Sequence, residues 1–102
     1  MIELGGNIFL DGFNELNGGE MVIIKKLVGN YVKEVTEKKG DFQKLSLNLN
    51  TSNLGEKDVF HLQAELHAGD KYNSEARDGN LFFAIDKALK DINTNIWFFS
   101  FY

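Results

Sequence analysis

Three consecutive segments in the middle of the chain alternate between apolar and polar residues, and this alternation constrains the fold most. It runs through Phe42–Asn50, Val59–Ala68 and Lys71–Asp78. A period of two predicts strands with one apolar and one polar face. The polar stretch Thr51–Lys57 predicts a hairpin loop between the first two strands, and Gly69-Asp70 predicts a tight turn between the last two. We therefore expect three antiparallel strands.

Two segments with helical spacing flank these strands. Asn17 and Glu20 form a capping-box pattern before the first segment, and Lys38-Lys39-Gly40 predicts its end. The second helix is predicted from Leu81 to about Thr94, with Asp78-Gly79-Asn80 supplying the turn and the N-cap. The predicted core positions are Met21, Ile24, Leu27, Val28, Tyr31, Val32 and Val35 in the first helix and Phe82, Ile85, Ala88, Leu89 and Ile92 in the second.

The N-terminal segment Ile2–Leu10 predicts one further strand, because its apolar residues share one parity. Gly5-Gly6 interrupts this strand, and we interpret the pair as a bulge or a close backbone approach. Asp11–Gly19 is predicted to be a loop.

These elements predict an α+β domain with the order β-α-β-β-β-α, in which two helices pack on one face of a four-stranded sheet. A right-handed crossover makes the first two strands parallel. The length of 102 residues and the hydrophobic fraction of 43% suit one core. We expect a single domain over residues 1–95 and an apolar C-terminal tail over residues 96–102.

Composition excludes several classes of protein. The chain has no cysteine, which excludes disulfides and thiolate zinc sites. The N-terminus shows no signal-peptide pattern, and no apolar run approaches the ~20 residues of a membrane-spanning helix. There is no glycine-rich phosphate loop and no nucleophile signature. The lack of cysteine fits a reducing cytoplasm, and we expect no membrane partner, no cofactor, no metal and no catalytic residues.

The polar face of the predicted sheet carries the best candidates for chemistry. His61, Glu65 and His67 alternate along one strand, and Glu75 lies on the next. His67 and Glu65 are two positions apart, so their side chains could share a metal ion. Alternation alone places such residues on any exposed sheet face, and we favour a solvated polar face. Its predicted members are Ser46, Asn48, His61, Gln63, Glu65, His67, Asn73, Glu75 and Arg77.

Lysines on the exposed sides of the two helices are the candidates for nucleic-acid binding. They would form one basic ridge if the helices lie side by side. Alternatively they only keep the helices soluble, and the net charge of −4 and pI of about 5.1 favour this interpretation. The lysines are Lys25, Lys26, Lys33, Lys87 and Lys90, and the acidic residues among them are Glu34, Glu37, Asp86 and Asp91.

The tail is strongly apolar and carries the candidate partner-binding residues Trp97, Phe98, Phe99 and Phe101. An exposed patch of this kind is costly in a monomer. The tail could fold back on the core, pair across a homodimer or insert into a partner. We favour the first two equally.

The order of elements and one segment carry a resemblance to a known family. The segment Asp78–Leu89 contains an aromatic residue, an alanine, an isoleucine and an aspartate in series, at Phe83-Ala84-Ile85-Asp86. Together with the opening Ile2–Leu10 and the alternating strands, it resembles the ribosome hibernation-promoting factors. This family is also called the ribosome-associated inhibitor or sigma-54 modulation protein family, and the chain is similar to a divergent, acidic member of it.

The resemblance implies a stress-related translation regulator without enzymatic activity. Such factors bind the small ribosomal subunit in the channel used by mRNA and tRNA, block translation and protect idle ribosomes. The family contacts ribosomal RNA through basic residues on its two helices, which correspond here to Lys25, Lys26, Lys33, Lys87 and Lys90. The alternative is a protein-binding or self-associating module on the same fold without RNA activity.

Overall fold

The chain folds into a five-stranded sheet with both helices on one of its faces. The computed structural model describes the backbone of residues 2–55 and 57–100, and the side chains of these residues except 54 and 95–100. The elements are β1 (Ile2–Gly5), β2 (Ile8–Asp11), α1 (Gly18–Lys38), β3 (Phe42–Leu54), β4 (Lys57–Ala68), β5 (Lys71–Asp78) and α2 (Leu81–Ser100).

The strands lie in chain order, β1-β2-β3-β4-β5. β2 pairs parallel with β3 across the α1 crossover, and every other neighbouring pair is antiparallel. The predicted α+β class, the parallel crossover and the antiparallel hairpins are therefore confirmed. The number of strands is not, because the sheet has five strands and not four.

The extra strand arises because the predicted strand Ile2–Leu10 is a hairpin. Gly5, Gly6 and Asn7 all have positive φ, at 85°, 59° and 65°. This conformation reverses the chain, and glycine and asparagine tolerate it better than other residues. β1 therefore folds back antiparallel onto β2, with Gly5-Gly6 in the turn and a register shift between Glu3 and Gly5.

The core lies between the sheet and the helices. Leu45, Leu47 and Leu49 of β3 are buried, as the alternation predicts. The buried helix residues are Ile24, Val28, Tyr31 and Val35 in α1 and Leu81, Ala84, Ile85, Ala88, Leu89 and Ile92 in α2. The other predicted core positions of the helices, Met21, Leu27, Val32 and Phe82, are partly buried against this cluster.

The segment between β2 and α1 contributes to this core, although the sequence predicts a loop there. Phe13 is completely buried. Gly12 precedes it with a φ of +84°, and a Cβ at this position would lie 2.1 Å from the backbone oxygen of Leu49. Only glycine lets the chain cross β3 this closely. The crossing brings Phe13 into the hydrophobic core.

Both helices begin where the capping signals predict. The Asn17 side chain accepts a hydrogen bond from the Glu20 backbone N–H, and Glu20 accepts one from the Asn17 backbone N–H. Asn80 caps α2 by accepting from the N–H groups of Phe82 and Phe83. These bonds satisfy donors that have no partner within the helix.

Two predicted boundaries differ from the structure. The expected loop Thr51–Lys57 is mostly strand, because β3 and β4 continue to pair as far as Leu54 and Lys57. Ladder hydrogen bonds need no apolar side chains, so the loss of alternation did not end the strands. The backbone of α2 also continues past the predicted end near Thr94 to Ser100. The predicted domain boundary after residue 95 therefore lies inside α2.

Candidate functional site

The outer surface of α1 carries lysines that form no ion pair with the described residues. Lys26 and Lys33 are exposed and lie two helical turns apart on one stripe, about 10 Å from each other along the axis. Among the described residues, neither has a carboxylate within 4.0 Å, and the same holds for Lys25. The full charge of these side chains is therefore available to a partner.

Lys25 points to a different side of α1. It lines a hollow between α1 and the β1–β2 hairpin, together with Glu3 and Met21. It therefore lies nearer to the β1 edge of the sheet than to α2.

The lysines of α2 are paired with carboxylates. The Lys87 ammonium lies 3.9 Å from the Asp78 carboxylate, and the Lys90 ammonium lies 2.9 Å from that of Asp86. Exposed pairs of this kind stabilise by only about 0.2–1 kcal/mol, so they can open. They do lower the positive potential at α2 relative to the outer surface of α1.

A groove of about 520 Å³ separates the two groups of lysines. Glu34 of α1 and Asp86 of α2 line it, together with Lys90. The buried hydroxyl of Tyr31 has no hydrogen-bond partner among the described residues. Burial, reinforced by the nearby charge of Glu34, raises the Tyr31 pKa, so the phenol stays protonated. The structure thus places Lys90 in the same groove as the carboxylates of Glu34 and Asp86, and leaves Lys26 and Lys33 on the outer surface of α1.

The polar face of the sheet holds two separate histidine–glutamate pairs. His61 Nε2 lies 3.1 Å from Glu75, and His67 Nε2 contacts Glu65. Each hydrogen bond lowers the pKa of its glutamate. Within residues 2–55 and 57–100, no three metal-ligating side chains come together. His67 and Glu65 thus lie together, whereas His61 is held apart from them by its contact with Glu75.

A shallow cleft of about 630 Å³ crosses the same face. Phe9 and Asp11 of β2 form one wall, and Glu65 and Glu75 lie across the strands from them. Sequence reasoning missed Phe9 and Asp11. The buried Ile8 and Leu10 on either side of Phe9 are the signal that places it on the polar face.

The candidate partner-binding residues of the tail lie outside the described side chains. The backbone of Trp97, Phe98 and Phe99 is part of α2, and Phe101 lies outside the described residues. Fold-back, dimerisation and insertion of the tail all stay predictions.

Comparison with known proteins shows what this arrangement resembles. No family model matches the sequence, and neither does any curated protein. Solved structures do match. The fold resembles that of a ribosomal subunit interface protein. That protein, from Coxiella burnetii, has a TM-score of 0.64 and 8% identity, over 94% of this chain and 97% of its own.

A second solved structure supports the same assignment of the fold. The N-terminal domain of Protein Y from Thermus thermophilus matches with a TM-score of 0.54 and 22% identity, over 90% of this chain and 94% of its own. The resemblance to the hibernation-promoting factors is therefore confirmed at the level of the fold. In the part of the chain that the structure describes, no helix is long and apolar enough to cross a membrane.

Proposed function

We propose that the protein is a ribosome-associated factor that binds the small ribosomal subunit and inhibits translation without catalysing a reaction. The observation that carries this proposal is the fold, which matches a ribosomal subunit interface protein over 94% of the chain. The proposal places the protein in the cytoplasm and makes ribosomal RNA its partner.

The contact surface is the outer face of α1. Lys26 and Lys33, which have no carboxylate partner in the described part of the chain, present their charge on one stripe, and Lys25 extends this charge toward the β1–β2 hairpin. Lys87 and Lys90 add to it only after their ion pairs with Asp78 and Asp86 open. Binding then rests on few phosphate contacts, which suits a chain with a net charge of −4.

Co-sedimentation with purified small subunits at several salt concentrations tests this proposal. Each phosphate contact releases counterions, so three contacts should weaken binding roughly 20- to 40-fold between 50 and 200 mM salt. Absence of pelleting at 50 mM salt would refute ribosome binding.

Charge-reversal variants test the surface. The K26E/K33E variant should lose salt-sensitive pelleting, because both substitutions place a negative charge where a phosphate is expected. The matched control is K44E/K57E, which changes the net charge equally but on the strands. Equal loss of binding in both variants would show that only the overall charge matters.

The alternative function is a protein-binding or self-associating module without RNA activity. It predicts association that does not depend on ribosomes and that survives the K26E/K33E change.

A further inference from the structure

The two edges of the sheet differ sharply. β1 is four residues long, and its register with β2 shifts between Glu3 and Gly5. β5 is eight residues long and pairs with β4 over its whole length without a register shift. A regular edge strand presents a row of backbone donors and acceptors to any strand that approaches.

β5 lacks several features that usually protect an edge. The chain contains no proline, and β5 has no bulge. Its polar side carries Lys71, Asn73, Glu75 and Arg77 in that order, so its charges are of both signs. Such a pattern repels some partners and complements others. Within one copy Lys71 lies 3.8 Å from Glu65 and Glu75 lies 3.1 Å from His61, and exposed contacts of this kind are weak enough for a partner strand to replace.

We propose that β5 is a dimerisation edge, at which two copies of this chain pair antiparallel about Asn73 and join their sheets. A two-fold axis perpendicular to the sheet places each residue before the axis opposite the residue that lies equally far after it in the other copy, on the same face of the sheet. With Asn73 on the axis, Lys71 of each copy lies opposite Glu75 of the other. The polar side then carries two complementary ion pairs around a central pair of asparagines, which can exchange amide hydrogen bonds.

The neighbouring registers are less favourable. An axis at Ser74 puts Lys71 opposite Arg77, and an axis at Glu75 puts this glutamate opposite itself. Like charges directly opposite each other destabilise a strand pair. An axis at Ala76 pairs Glu75 with Arg77, but it also draws Asp78 into the interface. Asp78 would then lie opposite Ser74, whose hydroxyl already donates to the Ala88 carbonyl oxygen and has no proton left for the carboxylate.

The helix above β5 supports the register at Asn73. Ser74 Oγ donates a 2.7 Å hydrogen bond to the Ala88 carbonyl oxygen, which fixes α2 over this part of the strand. The helix advances 1.5 Å per residue and the strand about 3.3 Å, so an axis through Asn73 passes near residue 90. The two copies of α2 run antiparallel there, so Asp91 of one copy lies level with residue 89 of the other, about 3 Å along the helix axis from Lys87.

The side of α2 that faces the edge is identified by an ion pair. Lys87 lies 3.9 Å from Asp78 at the end of β5, and the exposed Asp91 lies one turn further on the same stripe. Charge complementarity therefore repeats in both layers of the proposed interface, on the strand and on the helix.

Sedimentation equilibrium of the full chain tests the proposal. The wild type should dimerise reversibly, and K71E should raise the dimer dissociation constant roughly ten- to hundredfold, because two like-charge contacts replace two attractive ones by symmetry. K71E/E75K should restore dimerisation, because the pair is re-formed with the charges exchanged. R77E is the matched control and should leave the constant unchanged, because Arg77 lies outside the paired residues.

Each of the other outcomes overturns the proposal. A wild type that stays monomeric up to about 1 mM has no such dimer. A dimer that is insensitive to K71E but lost in Trp97→Ser forms through the tail, and it should hold at high salt, whereas the β5 pairs weaken as salt screens them. Circular dichroism of K71E checks that the domain is folded; failure of the double variant to restore association would refute the register. Ribosome binding is measured separately, so neither result decides the other.

Discussion

The docking of α2 can be tested by comparing two truncations on the same helix. Ile85 is completely buried in the core, whereas Phe83, two residues earlier, is 63% exposed. Ile85→Ala removes three carbon atoms, worth about 2.4 kcal/mol at about 0.8 kcal/mol each. The cavity that remains adds to this, so we expect a loss of about 3 kcal/mol, within the range of about 2–5 kcal/mol for such changes.

The loss should be easy to measure. A domain of this size has a free energy of unfolding of about 5–15 kcal/mol. A change of 1 kcal/mol shifts its melting temperature by about 4–8 °C, so Ile85→Ala should melt about 12–24 °C lower. Urea denaturation followed by circular dichroism should give a lower midpoint with an unchanged slope, which indicates an unchanged folded state.

Phe83→Ala is the matched control. It removes more carbon atoms than Ile85→Ala, but from an exposed side chain, so the loss should stay below about 1 kcal/mol. A loss below 1 kcal/mol for Ile85→Ala would refute the docking of α2 against the sheet. Equal losses of stability for both variants would contradict the assignment of Ile85 to the buried side of α2 and of Phe83 to its exposed side.

Two further predictions concern the loop before α1 and the polar face of the sheet. Gly12→Ala should destabilise the domain by about 2 kcal/mol or more, because φ is +84° and the new Cβ would lie 2.1 Å from the Leu49 oxygen; a melting temperature equal to that of the wild type would contradict this close crossing. The pKa values of Glu65 and Glu75 are lowered in the folded protein. Their contribution to stability is therefore complete above the unfolded value of 4.5 and is lost as the pH falls through the lowered folded values. The E65Q/E75Q variant should show a weaker loss of stability in acid by thermal denaturation between pH 3 and 6, and a profile identical to that of the wild type would argue against these pairs.

Local sequence patterns predicted the strands and helices that bury one face along their whole length. The leucines of β3 lie on a sheet face that is buried along its length, so their alternation survives in the structure. Asn17 and Asn80 cap the helices through bonds within a few residues, which the sequence alone specifies. The fold class and most of the core follow from these signals.

Other features escaped prediction because they depend on distant contacts. Phe13 lies in a segment without periodicity, and its burial follows from the passage of Gly12 over Leu49. The hairpin at Gly5 and Gly6 looked like a bulge because either structure uses positive φ. The pairing of β2 with β3, which the sequence does not specify, decides between a hairpin and one continuous strand.

The candidate site was predicted only in part. The sequence identifies which lysines are exposed, since helical periodicity separates polar from buried positions. It does not reveal that Asp78 holds Lys87 while Lys26 and Lys33 have no acidic partner among the described residues, because the contact of Lys87 depends on how α2 lies relative to β5. The pair of Lys90 with Asp86 is local, since four residues separate them on α2.

The sequence by itself therefore determined the helices, the three central strands and their buried faces, because these follow from periodicity and from caps within a few residues. Only the tertiary structure decided the fifth strand, the burial of Phe13, the division of the lysines and the exposure of the β5 edge. The burial of Phe13 and the position of β5 at an edge depend on contacts between residues far apart in the chain, such as Gly12 with Leu49, which no local pattern specifies. The fifth strand and the pairing of Lys87 with Asp78 depend on how neighbouring segments fold back on each other, which periodicity does not decide.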